Sequence, residues 1–275
     1  MKKYKSLMVA VVAVIIALTS IILINGRLLY SVDKIFSDPL YYVQTTTDTK
    51  IKIIAIDEKT LEALGPMNTW NREVSAKLVE ILCENEKTKP SIIAMDIMYM
   101  GNVDEESDKR FAQVAKKAGN IVVASSVMWR DKATFETVGG SVISYNVDKA
   151  NVDSIELPYE ELNANVQHGY ANTYQDEDGY IRFGQYKVEY NGMTEKSLAA
   201  KIYEMYCERN GIEEKVPKSF NVKDFKDMFY FSYSGKNLDY EVTSLIDVLN
   251  GERDPRLFDD CIVLVGAYSS GMMDA

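Results

Sequence analysis

Short, almost uninterrupted apolar runs alternate along this chain with stretches whose apolar residues recur at helical spacing. The runs cover residues 51–57, 91–98 and 120–128, and the helical stretches cover 71–87 and 104–119. A strand that is apolar at nearly every position is buried on both faces, which is typical of a parallel sheet covered by helices. The pattern therefore predicts a three-layer α/β fold with a mainly parallel sheet.

The second half of the chain adds further elements to this sheet. Residues 169–192 alternate about the turn dipeptide Asp178-Gly179, which predicts an inserted β-hairpin. The remaining predicted elements are a helix over 197–211, a strand over 229–234, a short helix over 243–251 and a last buried strand over 261–267.

A longer apolar run opens the chain. Residues 7–24 are apolar apart from one threonine and one serine, and three lysines precede them. As a helix, this run would be about 27 Å long, close to the roughly 30 Å hydrocarbon core of a bilayer. A cleaved signal peptide usually has a shorter apolar region and a small-residue cleavage site, which residues 25–27 do not supply. We therefore predict an uncleaved transmembrane helix.

The lysines predict the topology, because positive charges flanking a span stay in the cytoplasm. The expected organisation is a cytoplasmic and membrane-anchoring segment over 1–27, a connector over 28–50 and an extracytoplasmic domain over 51–275. The chain stops in a polar loop after the last predicted strand, so we expect it to be a truncated protein whose C-terminal part is missing.

The charge of the exterior part excludes one class of partner. Beyond residue 27, the chain has 27 basic against 41 acidic residues, a net charge of −14. A field of that sign repels phosphate backbones, so nucleic acid is not expected to bind. The three cysteines, Cys83, Cys207 and Cys261, lie far apart in the sequence. They predict neither a disulfide framework nor a Cys-x-x-Cys site, and we expect them to be small buried residues.

Two acidic residues are candidates for chemistry. Asp57 and Asp96 lie at or near the carboxyl ends of two predicted strands, the edge at which open α/β sheets bind ligands. Together they could hold a cation or exchange protons, as in a metal-dependent hydrolase. Alternatively, each could cap the loop or helix that follows it. The sequence leaves both interpretations open.

Other motifs favour structure over catalysis. In the calcium-loop register, Gly179 would place Tyr174 and Gln185 at ligand positions that neither residue suits. His168 is the sole histidine, and the chain has no Gly-x-Ser-x-Gly elbow and no phosphate-binding loop. Apart from the hydrolase alternative at Asp57 and Asp96, the sequence therefore predicts no catalysis, no cofactor and no metal.

Several segments, taken in order, resemble the type-2 CHASE domain, a cyclase- and histidine-kinase-associated sensory extracellular domain. The resemblance rests on residues 51–65, 68–82 and 91–99, on 169–182 with the helix start at 197–200, and on 243–258 with the closing segment 261–275. A stretch resembling Trp-Pro-Trp is expected before Arg72, but here Pro66 is displaced and Trp70 alone remains. The positions that match family motifs are Asp57, Trp70, Arg72, Asp96, Asp178, Gly179, Arg182, Gly266 and Asp274.

The resemblance implies a function. It implies the extracytoplasmic sensor of a bacterial membrane signalling protein, which binds an unknown small extracellular ligand and controls a cytoplasmic cyclase or kinase. It also implies a homodimer formed through the membrane and sensor parts. The motif residues, apart from Gly179, are candidates for the ligand site. The alternative is a membrane-anchored, metal-dependent hydrolase that uses Asp57 and Asp96.

Overall fold

The structure is a computed structural model that describes residues 2–25, 38–39, 48–138, 141–176, 179–222, 225–233 and 239–268. The chain divides into two compact units. The first comprises Met1–Thr46 with Ser232–Gly235, and the second comprises Thr47–Phe231 with Lys236–Ala275.

The first unit contains one long helix, α1, which runs over Lys2–Asn25. Among the residues that the structure describes, no helix is long and apolar enough to cross a membrane. The predicted transmembrane span over 7–24 is not supported by this finding.

The second unit contains all the strands that the structure describes. Its helices are α2 (Glu58–Leu64), α3 (Glu73–Leu82), α4 (Glu105–Ala118), α5 (Glu160–Asn163), α6 (Leu198–Asn210) and α7 (Leu245–Leu249), with 3-10 turns at Met67–Thr69 and Pro255–Phe258. Its strands are β1 (Ile51–Ile56), β2 (Ile92–Met98), β3 (Ile121–Val138), β4 (Ser141–Glu156), β5 (Gln167–Tyr170), β6 (Phe183–Gln185), β7 (Lys187–Tyr190), β8 (Met193–Lys196), β9 (Phe220–Val222), β10 (Phe225–Tyr230), β11 (Glu241–Ser244) and β12 (Ile262–Ala267).

The large sheet is mainly parallel, as the sequence predicts. Its order is β11-β1-β12-β2-β3-β4, and β5 also pairs with β3. Every pairing among β11, β1, β12, β2, β3 and β5 is parallel, and β4 alone runs antiparallel to β3. The last strand, β12, thus enters between β1 and β2, which are consecutive strands in the sequence. The sequence does not predict this position, because an apolar run does not indicate which strand will pair with it.

Helices cover both faces of this sheet. Strand residues alternate between the faces, and Ile54, Met95 and Val263 point into the larger core with the buried sides of α3, α4 and α7. On the opposite face, Ala94 and Leu264 pack against α6. This second face carries fewer helices, which leaves space beside α6 near the carboxyl ends of the strands.

The predicted inserted hairpin is only partly present. Gly179 donates to the Asp176 carbonyl at 2.9 Å and closes the turn, but Tyr174 and Phe183 form a single isolated bridge beyond it. The flanking strands leave in different directions, since β5 joins β3 and β6 joins β10. The regular hairpin is β7-β8, which turns at Asn191 and Gly192 with positive φ at both residues. An Asn-Gly pair is the stronger hairpin signal, because both turn positions require that backbone conformation.

Two other predictions are shifted. The strand expected over 229–234 is β10, four residues earlier, and it forms a small sheet of order β6-β10-β9. The helix expected over 243–251 begins as strand β11 and becomes α7 only at Leu245. The strand expected over 120–128 is much longer, because β3 continues to Val138 against β4.

Candidate functional site

A cleft of about 640 Å³ lies at the carboxyl edge of the parallel sheet, on the face that carries α6. Pockets for small ligands commonly measure about 300–1,000 Å³ and lie at this edge of open α/β sheets. The residues that line it are Ile53, Ala94, Asp96, Tyr170, Ala171, Asn172, Gly184, Gln185, Ser197, Leu198, Ala199, Ile202, Phe229, Phe231, Leu264, Val265, Gly266, Ala267 and Tyr268.

Three structural parts form the walls of the cleft. The sheet contributes Ile53, Ala94 and Leu264, which point to the same face because side chains alternate along each strand. The first turns of α6 contribute Leu198 and Ile202, and the small sheet contributes residues of β6 and β10. Most of this lining is apolar, so the cleft suits a ligand with an apolar body.

Asp96 and Gly266 lie side by side in this lining. They are register partners on β2 and β12. A Cβ atom at position 266 would lie 3.4 Å from the Asp96 Cβ and 3.8 Å from its carbonyl oxygen, so a larger residue would crowd the aspartate. Asp96 is exposed within the cleft although its strand neighbours Ala94 and Met95 are buried. The glycine thus keeps open the space beside a carboxylate.

The two amides of the cleft are already bonded to the protein. Asn172 accepts from the backbone N–H of Val127 at 2.8 Å and donates to its carbonyl at 3.0 Å. Gln185 donates to the Lys226 carbonyl at 2.7 Å and accepts from the Tyr174 hydroxyl at 2.7 Å. These bonds fix the amides as parts of the wall. Among the described residues of the lining, Asp96 is the one with an acidic side chain.

Asp57 is a helix cap. One carboxylate oxygen, Oδ1, accepts from the Thr60 backbone N–H at 2.9 Å, the Thr60 hydroxyl at 2.7 Å and the Ser244 hydroxyl at 2.8 Å. Burial alone would raise the pKa of Asp57, but the hydrogen bonds from Thr60 and Ser244 outweigh it and hold that pKa below its usual value. The structure therefore supports the capping interpretation for this residue.

Asp57 and Asp96 do not form the paired site that a hydrolase would need. Their strands, β1 and β2, are separated by β12, which places them two strand spacings, or about 10 Å, apart. Among the described residues, no group of three or more histidine, cysteine, aspartate or glutamate side chains is arranged to hold a metal ion. The Asp57 carboxylate is hydrogen-bonded to residues of α2 and β11, whereas Asp96 lines the cleft.

Trp70 and Arg72 lie on the other face of the sheet. The Trp70 indole donates to the Gly65 carbonyl at 2.9 Å, which ties the loop after α2 to the start of α3. The guanidinium carbon of Arg72 lies 5.0 Å from the centre of the Tyr99 ring, and Arg72 Nε lies 3.6 Å from Oδ1 of the fully buried Asp108. The cavity beside Trp70 and Arg72 measures only about 40 Å³. Trp70 therefore ties the loop after α2 to α3, Arg72 links the start of α3 to α4, and neither residue lines the cleft.

Arg182 is also held inside the protein. Its guanidinium donates to Asp176 at 3.2 Å, and both side chains are almost fully buried. The pair lies beside the turn at Gly179, where φ is 84°. It therefore stabilises the connection between β5 and β6. Asp178 and Asp274 lie outside the described residues.

His168 contacts a glutamate that also contacts a serine, but these three side chains are not in the order that nucleophilic catalysis requires. Its Nδ1 lies 2.8 Å from Glu195 Oε1, and the Ser125 hydroxyl donates to the same glutamate oxygen at 3.3 Å. A Ser-His-acid triad needs the histidine between the serine and the acid, whereas the glutamate is in the middle here. The contact links β5 to the β7-β8 hairpin.

A match to a known protein family covers nearly the whole chain. The CHASE2 domain profile matches residues 9–275. The chain belongs to the CHASE2 domain family. CHASE2 is a family of sensory extracellular domains of signalling proteins, and it is not a catalytic family. No curated protein and no solved structure matches the chain.

The family resemblance predicted from the sequence is thus confirmed. The residues that match family motifs form two groups, those that line the cleft and those that do not. Asp96 and Gly266 of this CHASE2 domain line the cleft, whereas Asp57, Trp70, Arg72 and Arg182 support the fold. Most of the lining is not predicted from the sequence, above all Phe229 of β10, Phe231 just after that strand and the start of α6. The signal that could have found part of it is the carboxyl-edge rule, applied to each residue that ends a parallel strand.

Proposed function

We propose that this CHASE2 domain is the ligand-binding part of a bacterial membrane signalling protein, and that the carboxyl-edge cleft is its ligand site. The observation that carries the proposal is the position of the cleft: about 640 Å³, apolar, and lined by two residues that match family motifs. The domain binds a small extracellular ligand and has no catalytic step of its own.

The cleft suits a sensor because it touches parts of the domain that could move separately. A ligand there would contact the large sheet, the start of α6 and the small β6-β10-β9 sheet together. A ligand that fits one arrangement of these parts better than another shifts the population toward it. Gly266 and Ala267 end the strand β12, which leads out of the sheet at this edge, and Tyr268 follows them, so the shift would reach the following segment. A cytoplasmic cyclase or kinase would read the change.

The membrane arrangement in this proposal rests on the sequence. The apolar run over 7–24 and the lysines before it support a single anchor with a cytoplasmic N-terminus, a connector over 28–50 and an extracytoplasmic domain from 51 to 275. Cell fractionation with a tag after Met1 tests it. Retention of the tag in the membrane fraction is expected, and recovery of a tag-free mature domain outside the membrane would contradict the anchor. Crosslinking in the membrane tests the proposed homodimer in the same preparation.

Photoaffinity labelling tests the ligand site directly. A neutral aryl diazirine of small size should label peptides of the cleft from α6, β10 and β12, as mapped by mass spectrometry on the 275-residue chain. Ala199 is an exposed residue of the lining, so Ala199→Trp should fill the cleft without disturbing the core and should abolish this labelling. Ala63→Trp is the matched control, because Ala63 is also exposed on a helix but lies outside the cleft. Equal cleft labelling in both variants would refute the proposed site.

A further inference from the structure

We propose that the ligand of the cleft is a planar, uncharged aromatic molecule, and that aromatic side chains of the lining pack against its ring. The inference rests on the proposed function, since it names the chemical class of ligand for the same cleft. It begins from the rings of the lining. Four aromatic side chains line the cleft, those of Tyr170, Phe229, Phe231 and Tyr268.

The Phe229 ring is held in a fixed position at the wall of the small sheet. Phe229 is the register partner of Gly184 on β6. A Cβ atom at position 184 would lie 3.4 Å from Phe229 Cζ and 3.9 Å from Phe231 Cδ1, so the missing side chain lets both rings lie close to the backbone of β6. The Tyr186 ring, which does not line the cleft, contacts Phe229 with ring centres 6.4 Å apart and planes at 67°. A ring fixed in this way loses little freedom when a ligand packs against it.

Short side chains make the wall of the large sheet flat. Ala94, Gly266 and Ala267 line the cleft at this wall, and none of them extends beyond a methyl group. A planar molecule could therefore lie close to the sheet and still reach the rings of the small sheet. Half of Phe229 is covered by the protein, which leaves part of its ring open to such a contact.

Aromatic rings distinguish an aromatic ligand from one that is merely apolar. Any apolar molecule gains by leaving water in proportion to its apolar area. Two aromatic rings gain a further attraction in offset-stacked or edge-to-face arrangements, because the negative face of one ring meets the positive edge of the other. With four rings in one lining, this additional attraction favours an aromatic ligand.

The polar side chains of the lining favour a ligand without charge. Asn172 and Gln185 are bonded to the protein, Ser197 accepts from the Ala200 backbone N–H at 3.3 Å, and Asp96 takes part in an interaction within the protein. None of the described lining residues is lysine, arginine or histidine. An anion would thus find no basic side chain, and a cation would have to compete with the existing interaction of Asp96. A charged ligand would therefore lose hydration without full compensation.

Competition among four ligands with the same carbon skeleton tests the inference. The neutral diazirine labels the cleft of the 275-residue chain at pH 7. The competitors are 1-naphthalenemethanol, its saturated analogue decahydro-1-naphthalenemethanol, 1-naphthoate and 1-naphthylmethylamine. The planar alcohol should displace the label at a concentration roughly tenfold lower than the saturated alcohol, the size of one or two aromatic contacts. If apolar burial alone decided, the saturated alcohol would compete at least as well. Both charged competitors should be weaker than the planar alcohol.

Two variants assign the preference to the rings. Phe229→Leu replaces a ring of the lining with an aliphatic side chain, so the preference for the planar over the saturated alcohol should fall to threefold or less. Tyr268→Leu, at a residue that is 39% exposed, should reduce the same preference and is informative even if the first variant does not fold. Phe220→Leu is the matched control, because Phe220 is also a half-buried phenylalanine of the small sheet but lies outside the cleft. It should leave the order of the competitors unchanged. A thermal melt shows whether each variant is folded.

The outcomes separate the two proposals. If the planar and saturated alcohols compete equally and Ala199→Trp still abolishes labelling, the cleft binds ligands and the aromatic assignment is wrong. That assignment is also wrong if the folded variants at Phe229 and Tyr268 keep the full preference. A charged competitor stronger than the planar alcohol would overturn the absence of charge. Absence of any cleft labelling would overturn the proposed ligand site itself.

Discussion

Removal of the Asp57 carboxylate should destabilise the second unit through the start of α2. One oxygen of this side chain accepts from the backbone N–H and hydroxyl of Thr60 and from the hydroxyl of Ser244. The carboxylate therefore joins the strand β1, the helix α2 and the end of β11. Asp57→Ala breaks all three contacts at once.

The expected cost follows from these contacts. Loss of an N-cap acceptor costs about 0.5–2 kcal/mol. The Thr60 hydroxyl is buried, which would add a penalty for an unmade hydrogen bond, but Ser244 Oγ lies 3.2 Å from Thr60 Oγ1 and can take over as its partner. We therefore expect about 2 kcal/mol in total, which lowers the melting temperature of a unit of this size by roughly 4–8 °C.

The effect should depend on pH. The folded-state pKa of Asp57 is lowered, so its contribution to stability is present above the unfolded-state pKa and is lost as the pH falls through the folded-state pKa. Asp57→Asn keeps an acceptor but has no charge to titrate. Its stability should therefore approach that of the unmodified chain as the pH is lowered into the acid range.

Tryptophan fluorescence during urea unfolding is a suitable assay, because Trp70 and Trp129 both belong to the second unit. Glu62→Ala on the same helix is the control, since Glu62 is exposed and its loss should change stability by less than about 0.5 kcal/mol. A cost for Asp57→Ala no larger than that of the control would refute the capping argument.

The double variant with Asp96→Ala decides between two caps and a shared site. Because β12 separates the two strands, the costs of the single variants should add within about 0.5 kcal/mol. Strong non-additivity, or stabilisation by a divalent cation that either variant removes, would revive the metal-dependent hydrolase.

Three further results are expected. Gly169→Ala should destabilise the domain by about 1–3 kcal/mol in a thermal melt, since a Cβ there would lie 2.8 Å from the Leu198 Cα; an unchanged melt would contradict that packing. Arg182→Met should cost about 3–5 kcal/mol in urea unfolding, because it removes the buried ion pair between Arg182 and Asp176, and Arg182→Lys should recover part of the loss. Thiol titration should find three reactive thiols in denatured, non-reduced protein, and in the folded chain Cys83 should react slowly at pH 7, because burial raises its pKa to about 11.

The sequence alone determined the elements whose signals are local. The helix α4 begins after Asp104, which caps it through Ser107, and it ends at Gly119 with a left-handed backbone, as its composition indicates. The apolar runs gave β1, β2 and β12 nearly at their observed bounds. The order of motifs along the chain was also enough to identify the family, because that identification requires no spatial information.

Tertiary structure decided how these elements meet. The pairing of β12 between β1 and β2 joins Gly266 to Asp96, two residues that are 170 positions apart in the sequence. In the sequence, Asp57 and Asp96 have the same position at the carboxyl edge of the predicted sheet. In the structure, Asp57 caps a helix and Asp96 lines the cleft. The difference lies in their neighbours: Thr60 and Ser244 supply donors to Asp57, whereas Asp96 lies beside Gly266 on the face that α6 covers. Such contacts depend on which distant segments share a sheet face, and no local pattern encodes that choice.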